Sequence, residues 1–161
     1  MTPRADFMAL ALEEAAAGAA AGEVPVGAVL VLDGQVVART QNRVERDHDP
    51  TAHAELLALR EAARRLEAKR LTEAVLYVTL EPCAHQGRTG PCCDALIQAG
   101  IGRVVASIED PNPLVGGQGF ARLRAAGIDV QVGPGAQQSR ELNIGFFSRM
   151  VRGMPWVRMK A

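Results

Sequence analysis

One stretch of this sequence carries residue types that can do chemistry together: His53 in Pro50-Thr51-Ala52-His53-Ala54-Glu55, Cys83 in Thr79-Leu80-Glu81-Pro82-Cys83, and Cys92 nine residues further on. A neutral imidazole and two thiolates make a formally uncharged zinc set with one tetrahedral corner left for a water, whose pKa the ion lowers toward neutrality. Glu55 stands two residues beyond the histidine. On a helix such side chains point to different sides, so the carboxylate is expected to stay off the ion and carry protons instead. The chemistry implied is hydrolysis. A closed, structural zinc would need a fourth ligand from His85 or Cys93; the latter, adjacent to Cys92, is expected to diverge into helix packing.

The elements that must position these residues follow from periodicity. Phe7, Leu10, Ala11, Ala15 and Gly18 fall near helical spacing after Thr2-Pro3. Val26 to Leu32 and Gln35 to Thr40, split by Asp33-Gly34, read as a β-hairpin. A polar loop runs from Asn42 to Asp49, and Pro50-Thr51 leads into an amphipathic helix through Leu66, with His53 and Glu55 in its first turn. Ala74 to Thr79 is apolar on both faces and reads as a central strand. Pro91 opens a helix over Cys92 to Ala99, stopped by Gly100, whose positive end is expected to favour the Cys92 thiolate. A strand over Arg103 to Ile108, a loop at Asp110-Pro111-Asn112-Pro113, a helix over Gly119 to Ala126, a strand over Ile128 to Val132 and one closing helix over Ala136 to Met150 complete the chain. The pattern predicts a three-layer α/β fold: a mixed sheet of about five strands with helices on both faces.

Composition sets the outer bounds. A chain of 161 residues, 48% hydrophobic, can bury one core, and a single domain over residues 1–161 is expected. Eighteen basic and eighteen acidic residues cancel. No overall field then steers the chain to nucleic acid or an anionic membrane. Three cysteines without a regular framework fit metal binding or free thiols, and with neither a signal-like apolar segment nor a membrane-length run the expected location is cytoplasmic.

The His-x-Glu, Pro-Cys and second-cysteine pattern is that of zinc nucleobase deaminases, and the chain resembles the cytidine deaminase superfamily over essentially its whole length. Residues up to about Cys83, notably Glu23-Val24-Pro25-Val26-Gly27-Ala28-Val29, Asn42-Arg43, His48 to Glu55 and Leu76 to Cys83, are similar to the bacterial tRNA adenosine deaminases. Cys83-Ala84-His85-Gln86-Gly87-Arg88-Thr89-Gly90-Pro91-Cys92, Asp110-Pro111-Asn112-Pro113 and Glu141 to Phe147 look like the deaminase domain of the bifunctional riboflavin-biosynthesis enzymes. Gln86 stands where the tRNA enzymes place their third ligand, and Glu23-Val24-Pro25 stands where the riboflavin enzymes carry an asparagine between prolines. A chimera is one expectation. Residues 151–161 resemble the start of that enzyme's reductase domain, whose remainder is missing, so a truncated chain is another.

The resemblance implies one Zn2+ per chain, Glu55 as the proton carrier, and a homodimer. It also implies substrate contacts from Asn42, His85, Arg88, Thr89, Asp110 and Asn112, with Arg88 and Thr89 gripping a phosphate. Each has a plainer reading beside it: Asn42 as a loop cap, residues 85–90 as turn punctuation, Asp110 and Asn112 as Asx-turns. The phosphorylated ribosylaminopyrimidine of riboflavin biosynthesis ranks first as substrate and adenosine in tRNA second. A zinc-stabilised but catalytically idle binding or scaffold domain is the reading from another class.

Overall fold

The computed structural model describes residues 4–85, 90–157 and 159. Asp33 and Gly34 both take positive φ, 50° and 74°. This turn has the twist that a tight antiparallel hairpin requires. Around it β1 (Gly27–Leu32) pairs with β2 (Gln35–Gln41). The other edge of β1 takes β3 (Val75–Val78) antiparallel, and β4 (Arg103–Ala106) and β5 (Asp129–Val132) then add in parallel. The order is β2-β1-β3-β4-β5, so the expected mixed sheet forms with β3 at its centre.

The helices of the described residues are α1 (Arg4–Ala20), α2 (Val44–Asp47), α3 (Ala54–Leu66), α4 (Cys92–Ala99), α5 (Gln118–Ala125), α6 (Ala136–Leu142) and α7 (Ile144–Arg152). Strand alternation decides which of them covers which face. Ala28, Leu30, Leu76, Val78, Val104 and Ala106 pack with Ala58 and Leu59 of α3, Leu96 of α4, and Phe120 and Leu123 of α5. Val29, Val31, Tyr77 and Val105 meet Phe7, Met8 and Ala11 of α1 on the opposite face. None of the described helices is long and apolar enough to cross a membrane.

Two expectations about the elements need correction. The closing helix is broken at Asn143, whose backbone leaves helical values at φ −104° and ψ 20°. Its Nδ2 donates to Pro25 O at 3.1 Å and Ser139 O at 3.0 Å, tying the break to the chain just before β1. The polar stretch after β2 contains the helical turn α2, because the buried Glu23 carboxylate accepts the backbone N–H groups of Glu45 and Arg46 at 3.1 and 2.8 Å. A cap supplied by a residue far back in the chain leaves no local signal. Beyond α7 the described residues, 153–157 and 159, form no strand.

Leu76 is fully buried at the centre of the sheet. Truncating it leaves a cavity that the packed side chains of α3, α4 and α5 cannot fill, so Leu76→Ala is expected to lower the free energy of unfolding by about 2–5 kcal/mol, read from urea denaturation.

Candidate metal centre and its acidic cavity

In an open α/β sheet, sites form where the carboxyl ends of strands meet the starts of helices. Beyond β3, Thr79 still belongs to the ladder: its N–H donates to Gly27 O at 3.1 Å and its Oγ1 accepts the Gly27 N–H at 3.1 Å. The next turn delivers Cys83. Cys92 is the first residue of α4, directly after the N-cap Pro91. His53 comes from a third element, the start of α3.

His53 is not within the first helical turn, as the sequence suggests, but is the N-cap of α3, extended at φ −74° and ψ 145°. Helix starts at Ala54 because the Asn42 side chain reaches over from the end of β2, its Oδ1 accepting the Ala54 N–H at 2.8 Å. The capping reading of Asn42 therefore holds. The residue also lines the cavity described below, and no partner for its Nδ2 is found among the described residues.

The candidate ligand atoms of His53, Cys83 and Cys92 lie within 4.8 Å of one another. His53 Nδ1 is 3.3 Å from Cys92 Sγ, and the Cys92 N–H donates to Cys83 Sγ at 3.2 Å. Taken by themselves, the two sulfurs share a proton. The hydrogen bond from Cys92 holds Cys83 down at about 4, aided by His53 and by the Cys92 N–H. Cys92 is pushed up by the same bond and then by burial. His53 is raised, first by its hydrogen bond to Cys83. The N–H at the start of α4 is thus donated to the neighbouring Cys83 sulfur and not to the sulfur of Cys92 itself. A borderline-soft dication suits this N/S/S set: it replaces the shared protons and binds both sulfurs as thiolates. The group is consistent with one Zn2+.

Cys93 faces the core, its S–H donating to Pro82 O at 3.3 Å, with Gly119 O at 3.6 Å. Burial first, then the Cys83 charge, pushes this thiol up to about 12. It packs as a buried thiol, away from the cluster. His85 is exposed and stands over a small recess beside Cys83.

Glu55 is 4% exposed. Desolvation is the main reason its carboxyl is pushed up to about 7; Cys83 raises it further, while its own N–H and His53 pull the other way. Glu55, His53, Cys83, Asn42 and Asp110 line one cavity of about 290 Å3, with Glu23, Glu45 and Glu81 and the apolar Val24, Val26, Val44 and Leu80 completing its wall. Asp110 and Asn112 make the Asx-turns read from the sequence: Asp110 Oδ1 accepts the Asn112 N–H at 2.8 Å, and Asn112 Oδ1 accepts the Leu114 N–H at 3.0 Å. Asp110 joins the cavity wall and Asn112 does not. Arg88 and Thr89 lie outside the described residues.

Two buried carboxyls at the cavity, Glu23 and Glu81, have no role in the sequence reading. The available signal was a single acidic residue at each border of an apolar strand, Glu23 before β1 and Glu81 after β3.

Cys92→Ser is expected to lose zinc on dialysis while Cys93→Ser keeps one ion per chain, measured by elemental analysis. A second expectation concerns the chelator-treated protein. Because the folded-state value of Glu55 lies above that of a free glutamate, the stability tied to its protonated form is complete below about 4.5 and is lost as pH rises through about 7. Glu55→Gln should therefore raise the denaturation midpoint more at pH 8 than at pH 5.

Residues 1–108 match the family described as the cytidine and deoxycytidylate deaminase zinc-binding region. Among curated relatives, the riboflavin biosynthesis protein RibD of Escherichia coli is 49% identical over 135 residues, 84% of this chain and 34% of its own length. The chain thus spans about a third of that longer protein. The diaminohydroxyphosphoribosylamino-pyrimidine deaminase of Buchnera aphidicola is 41% identical over 130 residues, covering 81% of this chain and 82% of the relative. A solved chain from work on A-to-I editing by tRNA:A34 deaminases at the wobble position of transfer RNA superposes with a TM-score of 0.75 at 40% identity, covering 86% of this chain and 99% of the other. With a family match over two thirds of its length and the His/Cys/Cys group in place, the chain belongs to the cytidine and deoxycytidylate deaminase family.

Proposed function

We propose that this chain is a hydrolytic deaminase that converts a ring amino group to a carbonyl with release of ammonia. Residues 1–161 act as one deaminase domain, with His53, Cys83 and Cys92 as the zinc ligands and Glu55 as the proton carrier. The observation that carries this reading is the buried Glu55 carboxyl lining one cavity with His53 and Cys83, whose ligand atoms gather with that of Cys92. When bound, zinc supplies the Lewis acidity that makes a water a competent nucleophile near neutral pH. Glu55, buried at the same cavity, takes a proton from that water and returns protons to the ring nitrogen and to the departing amine. The Asn42 Nδ2 group is placed to donate to an acceptor on the substrate ring or sugar.

The substrate we favour is the phosphorylated diamino-ribosylaminopyrimidine named in the Buchnera relative. A ring bearing amino donors suits the wall carboxylates that keep an oxygen to offer, Glu45 and Asp110. No lysine or arginine is among the described residues of that wall, so an anionic phosphate must reach past it toward the mouth. The riboflavin-type loop sequence proposes Arg88 and Thr89 for that contact, with His85 beside it. Adenosine in tRNA is the second reading, favoured by the structural match that covers 99% of a chain from the tRNA deaminase work. A homodimer and a reducing, cytoplasmic setting complete the proposal. The apolar groove of about 240 Å3 lined by Ile144, Phe147, Val151 and Trp156 supports the first, and three free cysteines support the second.

Ammonia release should be measured from the pathway pyrimidine and from a tRNA anticodon stem-loop side by side. Turnover of the pyrimidine is expected, and Glu55→Ala should cut it by roughly 10²–10⁴-fold while zinc is retained. Turnover of the RNA alone reverses the ranking; zinc without ammonia from either substrate favours the idle scaffold.

A further inference from the structure

Glu81 is 5% exposed, and no ion pair to it occurs among the described residues. Its carboxylate is met by backbone donors alone. Oε2 accepts the N–H groups of Asp110 and Gly117, each at 2.9 Å, and Oε1 accepts those of Gly119 at 2.8 Å and Phe120 at 3.3 Å. The Glu81 N–H in turn donates to Ile108 O at 2.9 Å. One residue, two positions before Cys83, thus grips both ends of the 110–117 loop and the first turn of α5, whose N-cap Gly117 has no side chain to cap with.

The loop is shaped to receive that carboxylate. A Cβ on Gly119 would stand 2.2 Å from Pro82 O and 3.0 Å from Glu81 Oε1, and one on Gly116 would stand 2.4 Å from Asp110 O. Gly117 sits at φ +82°, where a side chain is strained. A buried carboxylate is unfavourable unless its lone pairs are filled by charge-assisted hydrogen bonds, so this geometry is preferred over any in which the loop lifts away. At the cavity wall, the residue placed by this arrangement is Asp110.

We propose that Glu81 is a positioning residue for substrate: its carboxylate pins the 110–117 loop to the Cys83 segment and so sets where Asp110 stands at the cavity. The inference rests on the deaminase reading above. It assigns the loop to binding and not to the zinc ligands, because Asp110, one of the anchored donors, lines the cavity, whereas Cys83 is held by its own contact with Cys92. Glu81→Gln is the direct test. A glutamine amide keeps one acceptor oxygen but turns an NH2 group toward two of the four backbone donors, releasing one pair of bonds while keeping the shape.

The experiment compares zinc-loaded wild-type and Glu81→Gln protein by amide hydrogen exchange, zinc content and steady-state ammonia release. The expected result is exchange at Asp110, Gly117 and Gly119 faster by about tenfold or more, one zinc per chain, KM raised about tenfold and kcat within about threefold. Unchanged exchange, zinc loss, or faster exchange with an unchanged KM each overturn the inference. If Glu81→Gln does not fold, Gly117→Ala strains the same loop at its positive φ, disturbing one of the four donors to Glu81 while keeping the Glu81 carboxylate itself, and is held to the same criteria. A wild-type chain that releases no ammonia overturns the functional reading and this inference with it, whereas an active wild type with unaltered KM in the variant overturns the inference alone.

Discussion

The meeting of one imidazole nitrogen with two sulfurs at the end of the sheet is the constraint on which the rest of the structure depends. None of the three residues is held there by its neighbours in sequence. His53 stands at the start of α3 because Asn42, from the end of β2, takes the Ala54 N–H. Cys83 follows a segment that stays in the ladder at Thr79 and Glu81, and Cys92 stands at the start of α4 with its N–H on Cys83 Sγ. Reacting groups tolerate misplacement of about an ångström poorly, so the hairpin, the central strand and two helix starts are all needed for one small cluster.

Around that cluster, the same residue type plays opposite parts according to what fills its lone pairs. Glu81 is buried with four backbone N–H groups on its oxygens and acts as a fixed strut. Glu23 is buried with two N–H groups and the nearby Arg46, and it caps α2. Glu55 is equally buried but has only its own N–H and the nearby His53 to offset desolvation, so its proton is held into the neutral range. A carboxylate whose charge is fully compensated builds the wall. One left short of compensation is free to exchange protons.

Much of this was legible in the linear pattern. Asp33-Gly34 between two apolar runs specified the hairpin, the doubly apolar Val75–Val78 specified a central strand, and the histidine and cysteine spacings pointed to the group of His53, Cys83 and Cys92 that the fold brings together. The errors share one cause. The break at Asn143, the turn α2, the N-cap status of His53 and the donation of the α4 N–H to Cys83 all depend on a side chain or N–H arriving from a distant part of the chain, and no local window contains both partners. Asp110 and Asn112 illustrate the boundary: the Asx-turns were readable from residue type alone, but only the packed loop separates the residue at the cavity from the one beside it.

By itself, then, the sequence determined which chemistry was possible, because ligand softness, charge and proton affinity belong to residue types and travel with them. It also determined the sheet and its covering helices, since apolar periodicity is a local record of which face will be buried. Only the tertiary structure decided which glutamate is buried short of hydrogen-bond donors, which sulfur receives the N–H at the start of α4, and which loop frames the cavity. Those outcomes turn on solvent exclusion and on hydrogen bonds between residues far apart in the chain, and neither exists until the chain has closed on itself.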